Sequence, residues 1–412
     1  MISCAALALL AASAQAAWFS APFQAAEPNR LAWTPVLDGV ISEEEWDVLA
    51  TGENWLGAFQ WEPGHLYVGG KFPDGLDVIA SFDLGNNGWL VGKDNYEFRF
   101  SRVADKVVVK ARMLDATSKE GPRWVEIPGF EMASRAATTP VEGGWALEAS
   151  LADPNTGRFP VKAGTRIGVR YDLVPAGTVI AEPFLPRPVA PVRLVTDRSL
   201  ALPPGLAFRA DESGRSVVPG EATRVRFLFN RTEKVSVQEL SIRAEGPLRD
   251  QAAKLTTPFP AFDSKNRSFV DYATMISPAA STGYRVLRGS LGLGDGPPAF
   301  VQASLRIAPL IELSLTQLDL PVRENPQTKR FPFHIQSNSD LRVDGQVKFQ
   351  VPAGWKIGPK SETQKFTIYA SRGRIRKVLE LTVPGNSKGA FPIQATISVG
   401  GKTLDQTLWL NF

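Results

Sequence analysis

The chain is poor in the residues on which most metal and nucleophilic chemistry depends. Its 412 residues include one Cys and two His. That inventory is too small for a Cys/His zinc centre or a disulfide framework, and poor for Cys/His or Ser-His-Asp catalysis. Charge of one sign is also scarce. There are 46 Lys and Arg against 42 Asp and Glu, a net charge of +4. This mild basic excess reads as spread along the chain and leaves no electrostatic footprint for nucleic acid. Past the N-terminus no segment has the apolar length of a membrane-spanning helix. What the chain does have is 35 Gly, 32 Pro and a 43% hydrophobic content, enough for packed cores separated by many turns. The length suits two to four domains.

The N-terminus reads as an export signal. Ala5 to Ala12 form a short apolar run, and Ala14-Gln15-Ala16 fits the small-x-small rule for cleavage, giving a leader over residues 1–16. Cys4 lies inside that leader, so the mature chain would hold no cysteine. A large exported chain without disulfides suggests a bacterium, with the protein secreted, periplasmic or at the cell surface.

Period-two patterning dominates the remainder. Tyr96, Phe98 and Phe100 alternate with Asn95, Glu97 and Arg99, and Ile167, Val169, Tyr171 and Leu173 alternate with Arg166, Gly168, Arg170 and Asp172. Val225, Phe227 and Phe229, then Phe331, Phe333 and Ile335, repeat the pattern later. One short helix is predicted at 42–52, from the capping box of Ser42 and Glu45, the apolar pair Trp46 and Leu49, and the stop Thr51-Gly52. The fold class is therefore all-β, as three β-sandwich domains.

Proline marks the boundaries. Ala181 to Arg193 hold Pro183, Pro186, Pro188 and Pro191, which predicts an extended connector rather than a core strand. A second boundary falls near Ala308-Pro309. The predicted domains are thus 17–185, a Pro-rich linker at 186–198, and two units at 199–308 and 309–412, of the size of immunoglobulin-like sandwiches. These last two look like copies of one pattern. Thr223–Asn230 corresponds to Lys329–Ser337, and Gly283–Leu291 to Gly389–Ile397.

Four phrases in the first domain carry a resemblance. Leu37-Asp38-Gly39-Val40-Ile41-Ser42-Glu43-Glu44-Glu45-Trp46, Gly64-His65-Leu66-Tyr67-Val68-Gly69-Gly70, Asp94–Phe100 and Gly143-Gly144-Trp145-Ala146-Leu147-Glu148-Ala149 occur in that order. Together they resemble the landmarks of family 9 carbohydrate-binding modules and their DOMON-like relatives, over about residues 30 to 180. The resemblance implies a β-sandwich that binds sugars, and it implies that Trp46 and Trp145 are core. Val351-Pro352-Ala353-Gly354-Trp355-Lys356 is similar to a phrase of the immunoglobulin-like domains appended to secreted glycosidases and surface proteins, which act mostly as spacers.

Sugar recognition needs flat apolar rings and planar polar groups. Eight of the ten Trp lie in the first 145 residues, which points to the first domain. Trp89 follows Gly85-Asn86-Asn87-Gly88 and Trp124 follows Glu120-Gly121-Pro122-Arg123. Both are stacking-platform candidates beside turns, with Trp55 a third; Trp61 reads as core. Glu97, Arg99, Lys110, Arg112, Arg170 and Asp172 fall on the polar phase of their strands and are expected to line a concave, solvated sheet face. The same letters are also compatible with an ordinary solvated sheet. A glycosidase would need two carboxylates across the scissile bond. Glu97, Asp94, Glu148 and Asp172 show no spacing that selects a pair, so the chain is read as non-catalytic.

No cofactor is expected. Asp83-x-Gly85-x-Asn87-Gly88 with Asp94 imitates an EF-hand loop but has Gly at the third position, no flanking helices and Asp at the last. A hairpin turn explains it as well, and only a structural calcium elsewhere is left open. Relatives of the sandwich bind haem through Met with His or Lys, for which His65, Met113 and Met132 are the residues to hand. The expected partner is a polysaccharide or cell-wall glycan, with neither nucleic acid nor a transmembrane segment, and protein partners are left open. The alternatives are a structural envelope or matrix protein, or an accessory part of a glycoside hydrolase system.

Overall fold

A computed structural model describes residues 29–42, 45–88, 91–127, 134–152, 158–178, 189–211, 216–244, 255–293, 297–316, 322–369, 372–388 and 390–412. Among the described residues all regular structure is β. The chain divides into two compact units between Thr196 and Asp197.

The first unit contains β1 (Asn29–Leu31), β2 (Val48–Gly52), β3 (Trp55–Glu62), β4 (His65–Pro73), β5 (Leu76–Asp83) and β6 (Asn95–Val103). These are followed by β7 (Lys106–Asp115), β8 (Arg123–Glu126), β9 (Arg135–Val141), β10 (Gly144–Leu151), β11 (Arg166–Pro175) and β12 (Ala190–Val195). One sheet runs β1-β12-β11-β5-β6-β7-β8, the other β2-β3-β4-β10-β9. Period-two side chains of both sheets meet between them. Phe59 packs on Phe82 at 5.8 Å, Phe82 on Phe98 at 5.7 Å, and Phe72 on Trp145 at 5.7 Å. Each of these fully buried rings is worth about 1.5–3 kcal/mol of transfer free energy. Tyr171 crosses the layer and donates its hydroxyl to Ala58 O at 2.5 Å. Gly57 makes room, because a Cβ there would lie 3.2 Å from the Tyr171 ring.

Two sequence expectations are corrected here. The predicted helix at 42–52 is instead a turn followed by β2. Ser42 O accepts from Glu45 N and Trp46 N at 3.2 Å, and the chain then pairs with β3. The cap letters serve a turn because the Trp46 indole has a buried sheet face to cover, and tertiary burial outweighs local helix propensity. The connector drawn at 186–198 is also corrected. Ala190–Val195 is β12, in the sheet between β1 and β11, and Val192 and Leu194 are buried. Pro191 is tolerated because only part of a strand's backbone N–H groups must pair with a given neighbour. The leader at 1–16 and residues 186–188 lie outside the described residues.

The second unit begins with β13 (Asp197–Leu200), β14 (Leu206–Asp211), β15 (Ser216–Val217), β16 (Ala222–Arg231), β17 (Glu239–Ala244), β18 (Leu255–Pro258), β19 (Arg267–Met275), β20 (Gly283–Gly292) and β21 (Ala299–Ile307). It continues with β22 (Ile311–Leu315), β23 (Gln327–Ser337), β24 (Val343–Gln350), β25 (Lys356–Ile357), β26 (Thr363–Ile368), β27 (Arg374–Val383), β28 (Ala390–Val399) and β29 (Lys402–Asn411). Sheets β13-β21-β20-β17-β18 and β14-β16-β19 enclose one core. Sheets β22-β23-β27-β25 and β26-β24-β28-β29 enclose the next. The orders β14-β16-β19 and β22-β23-β27 correspond, as do β18-β17-β20-β21 and β26-β24-β28-β29. The strands matched as a repeat in the sequence, β16 with β23 and β20 with β28, hold equivalent places.

The two cores divide between Ile307 and Leu310, and a polar joint spans the division. Arg306 pairs with Glu312, which also accepts from Asn338 Nδ2 at 3.0 Å. Ser339 donates to Glu221 at 2.5 Å, and Arg372 Nη1 to Ser216 O at 2.5 Å. In the last sandwich Gly354, at φ +83°, closes the turn before Trp355, which packs on Phe391 at 5.0 Å and Phe412 at 5.6 Å.

Candidate functional site

The polar phase of the seven-stranded sheet in the first unit collects most of the candidate residues. Strand register builds it in rows. Arg170 lies opposite Ser81, Ser81 opposite Glu97, Glu97 opposite Arg112, and Arg112 opposite Glu126. One row away stand Asp172, Ile79, Arg99 and Lys110. Because side chains alternate along each strand, residues two apart on β5, β6, β7 and β11 share this face.

The charges on it satisfy one another. Arg170 grips Asp172 through Nε at 3.0 and 2.9 Å and Nη2 at 2.7 Å. Arg112 Nε donates to Glu97 Oε2 at 2.7 Å. Arg99 reaches Asp77 Oδ2 through Nε at 2.8 Å and Nη2 at 2.5 Å, and donates Nη1 to Thr178 O at 2.7 Å.

The expectation of an open, solvated face is thereby corrected. Glu97 is 3% exposed, Asp172 1% and Arg170 9%, while Arg99 and Arg112 are half-buried and Lys110 is exposed. Alternation identifies which face a residue shares, but not whether that face meets water. A charge that loses water must find an opposite partner, and the rows supply one for each. Asp77, 2% exposed, and Ser81, fully buried, were missed by the sequence reading. Their signal is the phase of β5, which puts Asp77, Ile79, Ser81 and Asp83 on one side. Among the described residues Ser81 Oγ and Arg112 Nη2 have no hydrogen-bond partner.

The three platform candidates separate. Trp124 stands on the edge strand β8, half-buried, with the Arg112 guanidinium 4.2 Å from its ring centroid. It therefore joins the Glu97–Arg112 pair at the rim of the polar face. Trp55 opens β3 in the other sheet, half-buried and stacked on Phe72 at 6.3 Å and 26°, and belongs to a different place. Trp89 lies outside the described residues. Trp46, Trp61 and Trp145 are buried.

On the outer face of the five-stranded sheet the opening phrase of the resemblance meets its last one. Glu148 accepts from Gly39 N at 2.5 Å and Trp46 Nε1 at 2.8 Å, holding residues 37–42 and Trp46 over β3 and β4. Trp46 packs with Ala58 and Tyr67, and with Leu37 and Ile41. Burial raises the Glu148 carboxyl above its ordinary value, and its two donors oppose that rise without cancelling it. Beside this cluster Thr34 donates to Glu62. Burial, then the Glu62 carboxylate, pushes the Tyr67 phenol well above its ordinary value. His65, the first residue of β4, is lowered chiefly by burial.

The loop after β5 is closed by its own hydrogen bonds. Asp83 accepts from Asn87 N at 3.3 Å and Gly88 N at 2.9 Å, and Asn87 Nδ2 donates to Asp94 at 3.1 Å. Burial raises the Asp94 carboxyl above its ordinary value. Among the described residues no group of three or more His, Cys, Asp or Glu is placed to hold a metal ion. Met113 lies on β7, and Met132 lies outside the described residues. No described helix is long and apolar enough to cross a membrane.

No family model matches the chain, and no curated protein matches it. Among solved structures, Escherichia coli alpha-2-macroglobulin activated by porcine elastase is 10% identical, covering 91% of this chain and 45% of its own, with a TM-score of 0.25. Red sea bream transglutaminase is 10% identical over 82% of this chain and 57% of its own, with a TM-score of 0.31. A family 9 carbohydrate-binding module from Caldicellulosiruptor kristjanssonii, in complex with cellotriose, is 16% identical. It covers 35% of this chain and 73% of its own, with a TM-score of 0.21. The chain thus spans less than half of the alpha-2-macroglobulin it is similar to. At these identities and scores the likeness goes no further than a β-sandwich kind of fold.

Proposed function

We propose that this is an exported, non-catalytic carbohydrate-binding protein, in which the first unit holds a polysaccharide or cell-wall glycan and the two following sandwiches carry it. The observation that carries the reading is the Trp124–Arg112–Glu97 assembly. An indole at the rim of a polar sheet face is backed by a guanidinium at 4.2 Å, which is itself anchored to a buried carboxylate. An indole held in this way is of the kind that stacks on the C–H face of a pyranose, with directional polar groups beside it. The four sequence landmarks of the first unit support the same reading. Affinities in the millimolar to micromolar range correspond to about −4 to −8 kcal/mol.

A second reading has its own observation. Glu97, Arg170 and Asp172 are buried and engaged with protein groups, which favours a structural envelope protein whose first sandwich no longer receives sugar. The full chain and its Trp124→Ala and Trp55→Ala variants, titrated against a glycan panel with and without calcium, separate the two. The binding reading requires retention of a glycan that Trp124→Ala abolishes while the melting temperature holds. No retention of any glycan by the parent protein would leave the structural reading. Turnover of a chromogenic glycoside would overturn the non-catalytic assignment.

A further inference from the structure

The basic excess of the chain is not evenly spread, contrary to the reading from composition. Residues 310–412 hold fourteen Lys and Arg against eight Asp and Glu, a net charge of +6 within a chain whose total is +4. The excess is also focused within that sandwich. On the outer face of the β22-β23-β27-β25 sheet, Arg376 lies opposite His334, which lies opposite Ser314. One row on, Arg374 lies opposite Gln336, which lies opposite Glu312. Arg374 and Arg376 are exposed, and among the described residues neither has a carboxylate partner. The nearby carboxylates are engaged elsewhere: Glu312 with Arg306 and Asn338, Glu380 with Arg330, Asp340 with Arg372. Two guanidinium forks therefore project from one strand face, about 7 Å apart along it.

We propose that this face, through Arg374 and Arg376, binds an anionic polysaccharide. Planar guanidinium groups take carboxylate or phosphate oxygens in paired, parallel hydrogen bonds, and an extended polymer with acidic groups can meet both forks at once. Among the described residues the face carries Pro332 and Val378 but no aromatic ring on which bases would stack, which disfavours single-stranded nucleic acid. Two arginines fall short of the four to eight basic residues, or so, typical of attachment to an anionic lipid surface.

His334 adds a condition. It faces Arg374 and Arg376 on β27 and Ser314 on β22, with Glu312 diagonal to it. Burial first, then the two arginines, hold its imidazole below the ordinary value of 6.5. It is therefore neutral at pH 7 and gains charge only in acid, where it joins Arg374 and Arg376 as a further cation on the face, beside the Arg330–Glu380 pair. Binding is expected to tighten as pH falls below 6.5, down to about pH 5, above the titration of the polymer's own carboxylates near about pH 4.

The proposal does not rest on the sugar site of the first unit. Its test is retention of the full chain on polygalacturonate at low salt, with dextran, double-stranded DNA and phosphatidylglycerol-containing vesicles in parallel. The expected result is binding to polygalacturonate and not dextran, weakened at least about tenfold by R374Q/R376Q, with an unchanged melting temperature. In H334Q the tightening in acid disappears. The K348Q/K402Q variant lowers the net charge equally, with Lys348 on the opposite sheet, and retains binding. Equal loss in K348Q/K402Q, equal retention on dextran, or tighter capture of DNA or vesicles would each overturn the proposal. Loss in W124A with R374Q/R376Q unaffected would assign the acidic polymer to the first unit and overturn it too.

Discussion

The Trp46 indole N–H donates to Glu148 Oε1 at 2.8 Å across 102 residues of sequence. This single bond joins the first and last landmarks of the opening sandwich. The second Glu148 oxygen, bonded to Gly39 N, makes the carboxylate a clasp between β10 and the segment ahead of β2. Truncation leaves two buried donors unpaired. Glu148→Ala is therefore expected to destabilise the first unit by about 2–4 kcal/mol, read by urea unfolding followed through Trp fluorescence. A loss below about half a kcal/mol, the range of an ordinary surface substitution, would mean the clasp contributes little.

The same carboxyl predicts a pH dependence whose sign is opposite to that of a salt-bridged acid. Burial raises its folded value above the ordinary 4.5, so the native state holds the proton more tightly than the unfolded chain does. Its contribution to stability is fullest below 4.5 and falls as pH rises through the raised value. Glutamine does not titrate. The destabilisation caused by Glu148→Gln should accordingly be larger at pH 4 than at pH 7. A cost that grew with pH would reverse the assignment.

Gly69 is the floor on which Trp46 lies. A Cβ there would come within 2.8 Å of three atoms of the six-membered ring. Gly69→Val should cost about 1–3 kcal/mol by overpacking and red-shift Trp fluorescence as the indole is lifted toward water. Gly75, whose Cβ would meet nothing within 4 Å, is the site to avoid as a control, since its φ of +77° penalises a side chain on other grounds.

Asp77 and Arg99 form the most enclosed of the paired charges that the sequence reading left incomplete. Arg99→Met strands a carboxylate that is 2% exposed, at an expected cost of about 3–5 kcal/mol. Adding Asp77→Asn removes the uncompensated charge and should recover most of that loss. Chemical unfolding of the two singles and the double measures this. A double variant no more stable than Arg99→Met would show that the Thr178 contact, not the ion pair, carries the cost.

Strands were legible because burial imposes a period of two along most of the chain. Phe98 and Tyr171 read as inward-facing; Phe98 packs on Phe82 within its sheet, and Tyr171 reaches Ala58 across the layer. One failure of type, at 42–52, came where a capping pattern stood beside an indole with somewhere else to go. Pro191 misled for a related reason, since a proline denies one N–H to a ladder but does not forbid the strand. Of the site, Arg112, Trp124 and Glu97 were each legible as residues of a suitable kind. That they touch was not, because β6, β7 and β8 are brought together only by register.

By itself the sequence determined the β class of the chain, the phase of strands such as β6, β11, β16 and β23, and the Trp-rich character of its first part, since strand phase depends on neighbours two residues apart. Tertiary structure alone decided that the polar phase of β5, β6 and β11 is enclosed and ion-paired. It also decided that Glu148 closes over Trp46, and that two arginines of β27 stand, among the described residues, without a carboxylate partner. Solvent access and opposite charge are properties of what packs against a strand, and the pattern along that strand carries no information about its cover.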